Sequence, residues 1–140
     1  MKLLEQAVQE NEVAYPAIDP FKIMQWIGDT KRDGEILVAE IGSLEKGSRL
    51  VGCIGMTVQF WKWSQEQFIG NEFMFVLPAF RKHGTFDKMI EAAEHFADKG
   101  NLRLVIGFSG GHKSDVKDRM MMLRGYHYSG GTFHRLASAS

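Results

Sequence analysis

The run Glu72-Phe73-Met74-Phe75-Val76-Leu77, closed by Pro78, restricts the folds open to this chain more than any other stretch. It is almost continuously apolar, the pattern of a strand buried on both faces, which places it inside a sheet rather than at an edge. After the turn 79–84, Phe86, Met89, Ile90, Ala93, Phe96 and Ala97 recur at helical spacing and Gly100 follows as a C-terminal stop. Leu102 to Phe108 is a second buried run. Two buried strands joined by a helix make a crossover unit with parallel strands and the right-handed sense such units take.

The turn into that helix, Arg81-Lys82-His83-Gly84-Thr85, sets cations and free backbone N–H groups at a helix N-terminus. Such a place favours an anion, most naturally a phosphate. The preference is local, because Lys plus Arg and Asp plus Glu balance at 17 each and no global field steers the chain to nucleic acid or an anionic membrane. No stretch reaches the roughly 20 apolar residues of a membrane span. At 140 residues the chain is expected to form one domain, with helices in 1–34 and the sheet and ligand site in 35–136. The one cysteine, Cys53, excludes an internal disulfide, and Lys2-Leu3-Leu4-Glu5 is not a secretory leader, so a cytoplasmic setting is expected.

In chain order, Leu3, Leu4, Ala7 and Val8 share a face of a short first helix. Asp19-Pro20 caps a second, with Phe21, Ile23, Met24 and Ile27 as its apolar face and Gly28 as its stop, leaving 29–34 as a polar loop. Residues 35–41 and 50–63 read as an antiparallel strand pair that continues into the strand at Glu72, with Gly52 and Gly55 marking a bulge or close packing. Alternation in the second of these puts Trp61 and Trp63 on one side and Phe60 on the other, for the core, a subunit contact or a substrate. A last helix begins at Ser114 or Asp115, with Val116, Met120 and Leu123 inward and Gly125 as its end, and residues 126–136 follow as a strand pair. The fold class is thus α/β (α+β): an antiparallel meander, then a β-α-β crossover, flanked by helices.

The five histidines, His83, His95, His112, His127 and His134, have no zinc-site spacing, so no metal is expected. Gly107-Phe108-Ser109-Gly110-Gly111-His112-Lys113-Ser114 approaches the phosphate-loop pattern of nucleotide-binding folds, but His112 replaces its second glycine. Too little chain follows Ser114 for the later strands such a fold needs. Cys53 suits packing rather than nucleophilic chemistry.

The segment Val76-Leu77-Pro78-Ala79-Phe80-Arg81-Lys82-His83-Gly84-Thr85-Phe86 resembles the acetyl-coenzyme A binding segment of the GNAT N-acetyltransferase superfamily, with Val76, Pro78, Arg81 and Gly84 matching its pattern. Leu123-Arg124-Gly125-Tyr126 falls where that family shows a Gly-Phe ending. The likeness runs from about residue 35 to 136 and is nearest to small, divergent members encoded by bacteriophages. It implies a GNAT-like mixed sheet and acetyl-CoA as co-substrate, its pantetheine arm between the splayed strands containing Phe75 and Ile106. Phe75, Val76 and Leu77 would bond that arm, and Arg81, Lys82, His83, Gly84 and Thr85 would hold the pyrophosphate. Three positions depart from the family: Phe86 replaces a small residue, Met121 a tyrosine that protonates the leaving thiolate, and Ser114 an asparagine.

Transfer of an acetyl group to an amine needs a base for the amine and a proton source for the thiolate. Glu72 is the candidate base, since it opens the buried strand beside the expected thioester. Tyr126 is the candidate acid, with His127 and Tyr128 beside it. Two functions remain open: direct acetyl transfer to a small-molecule or protein amine, or a non-catalytic binding or structural protein of the same fold, a homodimer or a partner of phage or host proteins.

Overall fold

A computed structural model describes residues 1–9, 19–43, 47–82, 84–108 and 114–130. In chain order the elements are α1 (Lys2–Gln9), α2 (Pro20–Asp33), β1 (Gly34–Ser43), β2 (Gly47–Phe60), β3 (Gln67–Val76), a 3-10 turn (Pro78–Phe80), α3 (Thr85–Lys99), β4 (Arg103–Val105) and α4 (Ser114–Leu123). The strands form one mixed sheet in the order β1-β2-β3-β4, antiparallel up to β3 and parallel between β3 and β4. β3 is therefore interior, as its unbroken apolar run required, and α3 is the crossover between the parallel pair.

Period-two alternation along the strands divides the core into two layers. On one face Ile54, Met56, Ile69 and Val76 pack against Met89, Ala93 and Ala97 of α3. On the other, Cys53, Phe73 and Phe75 pack against Leu4 of α1 and Ile23 of α2, with Trp26 and Ile27 beside them. The sheet thus lies between α3 and the N-terminal helices.

Several local expectations are corrected. α2 runs through Gly28 to Asp33, so residues 29–33 are helix and not loop. An interior glycine costs a helix about 1 kcal/mol, and packing offsets it: Thr30 is 1% exposed and donates its hydroxyl to the Trp26 carbonyl at 2.8 Å. The inward stripe is Ile23, Trp26, Ile27 and Thr30, whereas Phe21 stands 83% exposed. β2 stops at Phe60 and Trp61 lies in the connection to β3, which begins at Gln67, so strand alternation does not orient the two tryptophans. β4 covers only Arg103–Val105, and residues 126–130 form no strand; the rest of that expected strand pair, 131–136, lies outside the described residues.

α4 also turns a different face inward. Met121 is its buried residue, while Leu123 is 82% exposed. The reason lies just past the helix end. Arg124 pairs with Glu94 of α3 at 2.8 Å and with Asp87 at 3.6 Å, and the Tyr126 hydroxyl donates to the same Glu94 oxygen at 3.1 Å. This latch sets the rotation of α4 against α3. Burial, reinforced by the Glu94 charge, pushes the Tyr126 phenol from its ordinary 10.0 up to about 12.

Where β2 meets β3 the register slips between Gly55 and Met56: Gly55 opposes Phe73, Met56 opposes Asn71, and Glu72 is the extra residue of a β-bulge. A Cβ at Gly55 would lie 2.4 Å from the Phe73 ring.

Two outcomes follow. Gly55→Ala should destabilise the fold by about 1–3 kcal/mol through overpacking, read as a lower urea midpoint; an unchanged midpoint would mean the buried Phe73 ring moves aside freely. Because its folded-state pKa is raised, Tyr126 contributes stability that is complete below pH 10 and lost as pH rises through about 12. Phenolate absorbance should show one tyrosine titrating late, and Tyr126→Phe should remove that late step.

Candidate functional site

The site begins where two strands part. β3 and β4 pair only through Phe68/Arg103, Ile69/Leu104 and Gly70/Val105. The next residue of β3 bridges the widening gap with its side chain: the Asn71 amide donates to the Gly107 carbonyl at 2.8 Å and accepts from the Gly107 N–H at 2.8 Å. Beyond that clasp the β4 side of β3 has no strand partner among the described residues. The Leu77 N–H points back to β2, donating to Val51 O at 2.8 Å. Antiparallel alternation therefore turns the backbone polar groups of Met74 and Val76 toward the parting. Unpaired strand groups of this kind take an extended ligand as a further strand would be taken.

Glu72 stands beside the parting because of the bulge. A regular strand would send Glu72 and Phe73 to opposite faces; the extra residue lets both face α2. One Glu72 carboxylate oxygen accepts from the Thr57 hydroxyl at 2.9 Å and the Gln59 amide at 3.4 Å, the other from the Trp26 indole N–H at 3.3 Å. Trp26 is in turn fixed edge-on against Phe73, with ring centroids 5.1 Å apart. The carboxylate is half-buried and held by donors from β2 and α2. Its place is the middle of β3, not the strand's opening.

Past Val76 the chain turns through Pro78–Phe80 and enters α3. Arg81 folds back, its Nε donating to the Val76 carbonyl at 2.8 Å and its guanidinium lying 5.2 Å from the Phe75 ring centre. Gly84 caps α3 in the left-handed conformation (φ 74°), with open space where a Cβ would be. The bond from Lys88 N to Gly84 O, 3.1 Å long, leaves the N–H groups of Thr85, Phe86 and Asp87 without helical acceptors. Lys82 is exposed on the same turn. His83 lies outside the described residues, as does most of the loop 107–114. Phe86 leans on Phe108 with centroids 5.9 Å apart, and Lys117 of α4 caps Phe108 at 5.5 Å. The bulky residue at this departure from the family pattern therefore faces a neighbouring ring.

Phe75, Val76, Leu77, Arg81, Gly84 and Thr85 thus follow one another along one end of β3 and into α3, with Glu72 at the bulge behind them. Tyr126 is elsewhere: its hydroxyl is bound to Glu94 on α3, across the sheet from Glu72. Asn71, Thr57, Gln59 and Trp26 escaped the sequence reading. An asparagine inside an apolar strand was a visible signal for the first, since strands are depleted in it. Trp26 reaches Glu72 from 46 residues away, which no local pattern reveals. A cavity of about 480 Å³ between α3 and β1, lined by Leu37, Ala39, Phe80 and Met89 among others, includes no residue of the β3–β4 parting. Among the described residues no cluster of metal-ligating side chains occurs, and no helix is long and apolar enough to cross a membrane.

Among the solved structures that resemble the chain are the following three. AAC(6')-Iy, in complex with the bisubstrate analogue CoA-S-monomethyl-acetylneamine, matches with TM-score 0.66 at 13% identity over 98% of this chain and 88% of its own. A possible acetyltransferase from Clostridium difficile 630 gives 0.65 at 16% over 99% and 89%. The ribosomal-protein-alanine N-acetyltransferase of Brucella melitensis biovar Abortus 2308 gives 0.64 at 15% over 98% and 89%. At such identities the likeness is one of fold. No curated protein sequence matches the chain. The acetyltransferase (GNAT) family model, however, matches residues 2–114, most of the sequence. With the mixed sheet, the parting of β3 from β4 and the glycine-capped turn into α3, this protein belongs to the GNAT acetyltransferase family.

Proposed function

We propose that the protein is an acetyl-CoA-dependent N-acetyltransferase that passes the acetyl group directly to an amine. The observation that carries this reading is the Glu72 carboxylate, held by Thr57, Gln59 and Trp26 at the bulge beside the parting of β3 and β4.

The described residues fit the co-substrate. The Met74 backbone and the Val76 N–H, which face the parting and have no strand partner there among the described residues, suit the amides of a pantetheine arm, while the Val76 carbonyl is taken by Arg81. The turn offers three N–H groups without helical acceptors, the positive end of the α3 dipole, Lys82, and a glycine with open space above it for a pyrophosphate. Phe75, Leu77, Arg81, His83 and Thr85 complete the proposed contact set. Acetyl-CoA, when bound, supplies a thioester whose leaving group needs no protein acid, since a thiol of pKa about 8.5 departs readily as thiolate. That accommodates Met121 where the family resemblance expects tyrosine. Tyr126, tied to Glu94, serves to hold α4 rather than to donate a proton. Glu72 takes the proton from the acceptor ammonium, directly or through water. The freed nitrogen then forms the N–C bond to the acetyl carbon as the C–S bond breaks, and the second proton that the nitrogen sheds passes to the departing thiolate, directly or through water. Much of the acceleration comes from holding the two reactants in line.

Glu72→Gln keeps the shape of the side chain and removes the base, so kcat/KM should fall by about 100-fold or more while acetyl-CoA affinity measured by calorimetry stays unchanged. Equal activity in the variant would remove Glu72 from the chemistry. Gly84→Asp and Gly84→Asn both tolerate the left-handed conformation, yet only the first adds a negative charge. Acetyl-CoA should bind the aspartate variant at least about 10-fold more weakly than the asparagine variant. Wild-type protein that is folded, free of ligand and unable to bind acetyl-CoA would leave the non-catalytic reading.

A further inference from the structure

A strip of side chains leads away from Glu72 along the α2 face of the sheet. Gln59, which donates to Glu72, lies opposite Phe68 in the β2–β3 ladder. A Cβ on Gly70 would lie 2.7 Å from the Gln59 amide and 3.2 Å from the Phe68 ring, so both side chains close over that glycine on one face. Trp61 stacks on Phe68 with centroids 4.3 Å apart and planes 29° apart, and Trp63 continues the run at 5.1 Å and 30° from Trp61. The outermost ring, Trp63, is 80% exposed. Phe68 precedes Glu72 by four residues, about 13 Å of strand.

We propose that the three rings Phe68, Trp61 and Trp63 form a subsite that selects elongated polycationic amines as acceptors, one cation lying against the indoles while the reacting amine is at Glu72. The proposal rests on the role given to Glu72 above. Exposed indole faces attract ammonium groups through the ring quadrupole, and a carboxylate at the other end of the strip attracts a second one. Between the two ends the lining is the neutral Gln59 amide, which with the Phe68 ring covers the buried Gly70; the exposed Arg103, opposite Phe68 in the β3–β4 ladder, is a cation at the ring end of the strip. In the turn itself Lys62 and Glu66 are both exposed and cancel in charge. A monoamine satisfies only one end of this strip; a chain with a second cation more than about 13 Å from the first satisfies both. The dimension therefore excludes short diamines from the full interaction.

The test is calorimetric titration of the full chain with putrescine, spermidine and spermine, and with an amino alcohol of spermine's length, alongside an acetyl-transfer assay on the same series. Affinity should rise about 5- to 10-fold from putrescine to spermine, with no such rise for the amino alcohol. Trp63→Ala and Trp61→Leu should abolish the rise and leave putrescine binding unchanged. Equal affinities across the series, or a rise shared by the amino alcohol, would overturn the subsite. So would variants that keep the rise but lose self-association in sedimentation, which would make the rings a contact between copies. Length-dependent binding without acetyl transfer would retain the subsite and overturn the transferase reading; transfer without length dependence would do the reverse.

Discussion

The arrangement depends on where the parallel ladder ends. Three residue pairs join β3 to β4, and the Asn71 side chain then takes the place of the next backbone pair by bonding both polar groups of Gly107. A buried backbone group left unpaired is costly, so the two strands can part only where something else satisfies them. Asn71 does this at the fork, and beyond it the β4 side of β3 has no strand partner among the described residues. Had the ladder continued through Ile106 to Phe108, the sheet would be more regular and would have no cleft.

A second irregularity lies next to the first. The bulge at Glu72 changes which face a side chain takes, so a carboxylate that alternation would send toward α3 joins Thr57, Gln59 and Trp26 on the other side. Gly55 makes room for it, since the Phe73 ring occupies the place of a Cβ. The fork and the bulge together put a carboxylate and open backbone on adjoining parts of one strand. Rigid packing on both faces of β3 holds them there: Phe73 and Phe75 against the N-terminal helices, Ile69 and Val76 against α3.

The Arg124–Glu94–Tyr126 latch gives a residue suited to catalysis by type a structural contact on α3. A phenol near the expected site was a reasonable proton donor in the sequence. Its hydroxyl instead satisfies a carboxylate that Arg124 already engages, and the same contacts rotate α4 so that Met121 is buried and Leu123 is in water. Glu72 and Tyr126 are thereby separated by the thickness of the sheet.

The sequence by itself determined the interior strand, the helix after it, the parallel crossover and the glycine-capped turn, because each follows from apolar periodicity or from the conformation only glycine takes easily. It also marked Gly55 as a site of close packing or bulging. Only the tertiary structure decided where the parallel pairing stops, which face Glu72 takes, how far α2 continues past Gly28 and where Tyr126 points. Those outcomes turn on contacts between residues far apart in the chain, such as Trp26 with Glu72, Asn71 with Gly107 and Glu94 with Tyr126. Local propensity sets the menu of elements, but a hydrogen bond or a ring contact across the fold outweighs a preference of a few tenths of a kcal/mol to about 1 kcal/mol per residue.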